Sequence, residues 1–324
     1  MKRKTKQILF LICFAFFLVG AVLFFVLRDE KESESSDYQE SNRKDIIMYG
    51  GKEYRYNDHL SNYVFIGVDK KDPITGEEMR QESGRADAIF FLSYDRVEKT
   101  VKCISIPRDT MTNVRMLAPD GTDMGTDVDH INMQYLFGDG KDESCRLVKE
   151  AVSNLLYGVP IQGYYSLNMD GIAVAVDVLG SVEMTLTDNS LESVNSEFVE
   201  GAKITVTKDN AEQIVRYRDI NVTHSALMRT NRQKQFMRAV VDRAREESTQ
   251  DSDFIARMYD SLKPYTVTNM GNDVIVDLLE AKFNSDIGVI DLPGEGVEGE
   301  RHDEYHVDEI GVYELVLKLF YKEV

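Results

Sequence analysis

Twenty consecutive uncharged residues, Ile8 to Leu27 (ILFLICFAFFLVGAVLFFVL), constrain this chain more than any other feature in it. At 1.5 Å rise per residue, a helix of that length covers ~30 Å, the thickness of a bilayer's hydrocarbon core. A secretory signal has a shorter apolar run and a small-residue cleavage site. Here the run ends directly in Arg28-Asp29-Glu30, which predicts an uncleaved transmembrane anchor. Lys2, Arg3, Lys4 and Lys6 precede it, so the positive-inside rule places residues 1–7 in the cytoplasm and all that follows the anchor outside. Residues 28–59, rich in charge and serine, read as a flexible stalk, and residues 60–324 as one extracytoplasmic domain.

The whole chain carries 38 Lys and Arg against 56 Asp and Glu, a net −18, and the five basic residues of positions 1–28 taken away leave −23 for the exported part. That balance opposes nucleic acid as a partner, because phosphate backbones are bound through surplus Lys and Arg. Three cysteines without a CxxC exclude a disulfide scaffold and a structural zinc module. Cys13 lies in the anchor; Cys103 and Cys145 could pair only if their Cα atoms came within ~7 Å, and the preferred reading is two buried free thiols.

Three short apolar runs, Tyr63–Val68, Ala88–Tyr94 and Val101–Ile106, are rich in β-branched and aromatic residues and bounded by polar turns, the mark of buried strands. Helical patterns follow: Ser144–Leu156, with apolar residues at i, i+3, i+4 spacing, then Gly171–Leu179, Lys208–Arg218 and Thr230–Glu247. Further on, a helix is expected near Asp273–Phe283, a strand near Gly288–Leu292 and a helix near Asp308–Phe320. The alternation predicts an α/β fold, a layered α-β-α domain around a central mixed sheet, preceded by one transmembrane helix.

Charged residues stand at the ends of the apolar runs. Asp69 follows the first, Arg85 and Asp87 flank the start of the second, and Pro107-Arg108-Asp109 follows the third. Open α/β sheets bind ligands beyond the carboxyl ends of their strands, which suits Asp69 and Arg108. Two carboxylates brought together repel unless a cation or proton lies between them, and oxygen ligands suit Mg2+. Arg216 and Arg218 lie in VRYR, and Arg229 and Arg232 one turn apart on the next helix, with Gln233 beside them. Guanidinium forks match phosphate oxygens, and several converging would clamp a diphosphate. Singly, each residue has a plainer reading as a turn aspartate or a surface ion pair.

Their order is more telling. NYVFIGVDKK, GRADAIFFLSYD, VKCISIPRDTMTNV, HINMQYLFGDG, DGIAVAVDVLGSVEM, AEQIVRYRD and RTNRQKQFMRAV occur in succession over about residues 62–241. In these blocks the sequence resembles the LytR-CpsA-Psr family of membrane-anchored, extracytoplasmic proteins. The resemblance implies a Mg2+-assisted phosphotransferase, with Mn2+ as the alternative metal. It would move a glycopolymer from a polyprenyl diphosphate carrier to peptidoglycan or another envelope acceptor. It implies Asp69 and Asp87 as metal ligands and Arg108, Asp87 and Arg218 as the catalytic group. Arg85, Arg108, His130, Arg216, Arg218, Arg229, Arg232 and Gln233 would bind substrate, and the lipid tail would occupy an apolar tunnel for which 171–179 and 236–241 are candidate linings. The chain departs from the family pattern at His130, where a lysine is usual, at Ser181 in the usual Gly-Gly-Val, and at Ala226, where an acidic residue is frequent. Those departures motivate an alternative, a catalytically weak polyprenyl-phosphate-binding or regulatory member. A transcriptional regulator, once credited to the family, conflicts with the exported position and the −23.

Overall fold

The computed structural model describes residues 46–74, 80, 82–219, 222, 225–251, 253–271, 274, 282–283, 289–299 and 302–324. The cytoplasmic tip, the apolar run 8–27 and the first part of the stalk lie outside these residues, as does most of the helix expected near Asp273–Phe283. Among the described residues no helix is long and apolar enough to cross a membrane.

The first elements are β1 (Ile46–Tyr49) and β2 (Lys52–Tyr56), an antiparallel hairpin. They fall in the segment expected to be a flexible stalk, so among the described residues regular structure is present ahead of residue 60. The reason is non-local: β2 finds a second partner at the other end of the chain, as described below.

Three long strands follow, β3 (Leu60–Val68), β4 (Ala86–Asp95) and β5 (Thr100–Ile106), each antiparallel to the one before. They cover the three apolar runs and extend them by a few residues. β6 (Met111–Leu117) and β7 (Asp123–His130) form a separate hairpin, then come α1 (Met133–Leu136) and α2 (Asp142–Leu155). β8 (Gly163–Asn168) returns parallel to β3, so the sheet is mixed, and α3 (Met169–Leu179) starts at once, its N-cap Asn168 accepting from the Gly171 amide at 3.0 Å. The hairpin β9 (Val182–Thr185) and β10 (Lys203–Val206) leads to α4 (Ala211–Arg216), α5 (Ser225–Gln250) and α6 (Phe254–Leu262). β11 (Thr266–Thr268) pairs antiparallel with β8, while β12 (Lys282–Phe283) and β13 (Ile290–Asp291) pair parallel with β5. The chain closes with the hairpin β14 (Gly294–Glu298) and β15 (Asp303–Val307), then α7 (Glu309–Phe320) and β16 (Tyr321–Glu323). β16 lies antiparallel against β2, completing a three-stranded sheet from both ends of the folded chain.

Period-2 alternation divides the core between the two faces of the central sheet. Tyr63, Phe65, Phe90, Leu92 and Cys103 face α3, α4, α5 and α6; Val64, Ile66, Ile89, Phe91 and Ile104 face α1, α2 and α7. Helices therefore cover both sides, and the layered α-β-α arrangement holds. Each fully buried aliphatic or aromatic side chain contributes roughly 1.5–3 kcal/mol relative to exposure. Cys103 and Cys145 belong to opposite faces and are buried thiols not joined in a disulfide; burial pushes that of Cys145 up to about 12.

Candidate active site

Because β3, β4 and β5 alternate in direction, the end of β3, the start of β4 and the end of β5 share one edge of the sheet. Asp69, Arg85, Asp87, Arg108 and Asp109 are thereby gathered from three separate stretches. Asp69 is fixed reciprocally: its amide donates to the Arg85 carbonyl at 3.0 Å, and the Arg85 amide donates to Asp69 Oδ1 at 2.7 Å. Gly84 makes the turn possible with φ +87°, where a Cβ would stand 3.0 Å from Val68 Cγ1 and 3.3 Å from Asp69 Oδ1.

Asp87 owes its direction to a β-bulge. Gly67 is opposite Ala88 but Val68 is opposite Ala86, so Asp87 is an extra residue on β4. It reaches a narrow apolar slot of about 50 Å³ under α4 and α5, walled by Phe65, Leu167, Ile172, Val215 and Phe236. Gln233 also lines this slot, its Nε2 donating to the Val215 carbonyl at 3.5 Å.

Two arginines share the Asp87 carboxylate. Arg108 Nη1 donates to Asp87 Oδ1 and its Nε donates to Asp109 Oδ1 at 3.1 Å. Arg229 Nη1 lies 3.8 Å from Asp87 Oδ2. Burial works against the Arg108 charge, but Asp87 and Asp109 outweigh it and hold the guanidinium above its ordinary range. Arg229 has no such surplus: burial, and then the charge of Arg108, push it down to about 10. It is 6% exposed, and its Nε and Nη2 have no hydrogen-bond partner. A buried unpaired donor costs roughly 1–3 kcal/mol, more when charged. Two guanidiniums thus share one carboxylate, and two donors of Arg229 stay unspent.

On the other side of Arg108 opens a cleft of about 620 Å³. Its walls include Arg85, His130 and Asn132, and Arg218 with Asp303 opposite. Arg218 donates from Nε to Ser225 Oγ at 2.9 Å and from Nη2 to Asp303 Oδ2 at 2.5 Å. The tail reaches the cleft because the Tyr305 amide donates to the Asp109 carbonyl at 2.9 Å. Slot and cleft meet at the Arg108–Asp87 pair.

The remaining expected ligands stand apart from that pair. Arg232, 1% exposed, spends its fork on the Ile214 and Tyr217 carbonyls and on Ser190 Oγ, so it fastens α5 to the end of α4. Arg216 is 40% exposed and donates to Glu212 Oε1 at 3.0 Å one turn back; its charge still favours ionised Asp69. His302, Asp303 and Glu304 were missed by sequence reasoning. Their charged run in the tail was visible, but its approach to the cleft depends on the β14–β15 hairpin.

The Asp69 carboxyl is pushed above the ordinary range by burial and then by Asp87, against the Arg85 amide and the Arg216 charge. A divalent cation would offset both unfavourable causes, so the pair suits Mg2+. Among the described residues no cluster of three or more His, Cys, Asp or Glu could hold a metal ion. Mg2+ commonly needs no more than one or two carboxylates, its other ligands being phosphate oxygens and water.

Fold and site together define a three-layer α/β protein with paired arginines and aspartates at one sheet edge, between an apolar slot and a polar cleft. Residues 22–316 match the model of the LytR_cpsA_psr family, and the chain belongs to that family. It is 32% identical over 194 residues to the polyisoprenyl-teichoic acid–peptidoglycan teichoic acid transferase TagU of Halalkalibacterium halodurans, covering 57% of this chain and 58% of that one. To TagU of Bacillus mycoides it is 28% identical over 280 residues, covering 78% of this chain and 85% of that one. The crystal structure of B. subtilis TagV superposes with a TM-score of 0.58 at 22% identity, over 81% of this chain and 96% of that one.

Proposed function

We propose that this protein is a membrane-anchored, extracytoplasmic phosphotransferase that moves a glycopolymer from a polyprenyl diphosphate carrier to peptidoglycan or another envelope acceptor. The observation that carries it is Arg229, buried beside Asp87 with two unpartnered guanidinium donors. A diphosphate reaching the Arg108–Asp87 junction would satisfy them. The apolar slot on one side suits the lipid, and the polar cleft on the other suits a sugar. Relatives whose names specify transfer of teichoic acid from a polyisoprenyl carrier to peptidoglycan support this choice over a lipid-binding member without turnover.

In this reading Arg108, Arg229 and Arg218 draw the diphosphate into line and stabilise charge on the departing phosphate. Preorganised cations of this kind act where charge develops, in a site that excludes water. Asp87 holds Arg108 in place. Asp69 and Asp87 would hold Mg2+, which supplies charge neutralisation on phosphate oxygens. An anchor at residues 8–27 would keep the site at the leaflet that carries the lipid.

The test supplies a polyprenyl diphosphate oligosaccharide, an acceptor glycan and Mg2+, and measures lipid phosphate released. Wild type is expected to turn over and Arg108→Ala to lose roughly 10²-fold or more. Equal rates in the two would contradict the proposal, and lipid bound by wild type without turnover would favour the regulatory alternative.

A further inference from the structure

Transfer of a phosphoryl group to a hydroxyl leaves a proton to be removed, and neither the arginines nor a divalent cation takes protons. The polar cleft contains several bases, but most are engaged. Asp109 accepts from Arg108 Nε, Asp303 is paired with Arg218, and Glu304 Oε2 lies 2.7 Å from His306 Nε2. Asp129 Oδ1 accepts the amide of His130 at 2.7 Å. His130 itself differs. Its side chain is 15% exposed, it lines the cleft with Arg108, and its Nε2 is a buried atom without a hydrogen-bond partner. Its other nitrogen, Nδ1, lies 3.8 Å from Asp129 Oδ1, a placement that favours the proton on Nδ1 and leaves the buried Nε2 lone pair unspent in the wall of the cleft.

The placement is enforced by the backbone. Met111 pairs with His130 at the open end of the β6–β7 hairpin. The next two amides tie it down: Ile131 donates to the Thr110 carbonyl at 2.8 Å and Asn132 to the Arg108 carbonyl at 3.2 Å. His130 is thus two residues along the chain from a direct backbone link to Arg108. A base held beside a carboxylate in the wall of a substrate cleft is one general arrangement of nucleophile activation.

We propose that His130 is the general base of the transfer. Resting on the transferase reading, the step balances as follows. The acceptor hydroxyl gives its proton to His130 Nε2, and its oxygen forms a bond to the phosphorus that carries the glycan. The phosphoanhydride bond breaks, and its electron pair leaves with the polyprenyl phosphate. The imidazolium then returns its proton to water. Besides Asp129, the titratable and charged groups facing His130 are Arg108 and Asp109 from the turn after β5, Arg85 from the start of β4, Arg218 from beyond α4, and His302, Asp303 and Glu304 from β15 and its approach. His302 is the competing imidazole, its ring centroid 6.3 Å from that of His130, and it is exposed.

The experiment measures lipid phosphate release by the full chain in detergent, over pH 5.5–8.5, for wild type, His130→Gln and His302→Gln. In wild type, kcat is expected to fall on acidification as the base takes up a proton. His130→Gln is expected to lose roughly 10²-fold or more in kcat, with little change in acceptor KM and a flat acid side. An acid limb that survives in His130→Gln, or that disappears only in His302→Gln, would overturn the assignment. Should wild type show no turnover, the transferase reading itself fails. Imidazole ¹⁵N NMR of the full chain then tests His130 separately: the neutral form protonated on Nδ1 is expected, and a proton on Nε2 would overturn it.

Discussion

Arg229 and Arg232 illustrate how far apart two similar residues can be in role. They lie three positions apart on α5, both are buried, and burial pushes both guanidiniums down to about 10. Arg232 is satisfied by two backbone carbonyls and a hydroxyl, whereas Arg229 holds unpaired donors beside Asp87. Replacing each with methionine keeps most of the volume and removes the charge. Arg232→Met is expected to destabilise by about 3 kcal/mol or more, because its buried charged hydrogen bonds are worth roughly 1.5–3 kcal/mol each. Arg229→Met is expected to leave the ligand-free melting temperature unchanged or raise it, since a buried charge that Asp87 offsets only in part disappears, and Asp87 keeps Arg108. Equal losses in thermal melts would contradict the assignment of roles. Asp69 gives a second residue-scale test. Its raised folded pKa means that its contribution to stability is full below the unfolded carboxylate range and is lost as pH rises through the folded value. At pH 7.5 without divalent ions, Asp69→Asn is therefore expected to melt above wild type, with the gap closing as pH falls toward 4. Added Mg2+ is expected to raise the wild-type melting temperature and leave that of Asp69→Asn in place; a shift of equal size in both would argue against a metal at this carboxylate pair. The sequence showed that arginines clustered here but not which kept unspent donors. One turn of helix phase decides that, and phase depends on how α5 packs on α4.

At the scale of elements, β3, β4 and β5 were legible because both of their faces are buried and the runs are almost continuously apolar. β1 and β2 were not, because they are half exposed and their composition is that of a solvated linker. Only pairing with β16, more than two hundred residues later, makes them strands. Deleting Tyr321–Val324 is expected to lower the melting temperature and to speed hydrogen exchange at residues 52–56, while residues 62–68 stay protected. Unchanged exchange in 52–56 would show that the hairpin stands without its C-terminal partner. The bulge that turns Asp87 was also missed, although a signal existed. Gly67 is a lone glycine inside an apolar strand, and a Cβ there would stand 3.0 Å from that of Ala88.

Across the whole molecule, the −18 of the sequence and the two arginines gathered at Asp87 belong to different places. Acidic residues dominate surfaces such as β7, whereas the arginines that matter are drawn from three elements to one sheet edge. Net charge alone therefore argues against nucleic acid without arguing against a small phosphorylated ligand. The cleft wall from the tail was unreadable for a further reason: it is built by a contact between Asp109 and Tyr305, remote in sequence. The most direct test of the anion site is an experimental structure of the full chain with a bound polyprenyl diphosphate. The diphosphate oxygens are expected within hydrogen-bond distance of Arg229 Nε and Nη2 and beside Arg108, with the lipid entering the slot lined by Phe65 and Phe236. A diphosphate seated elsewhere, with the Arg229 donors still unpaired, would contradict the site described.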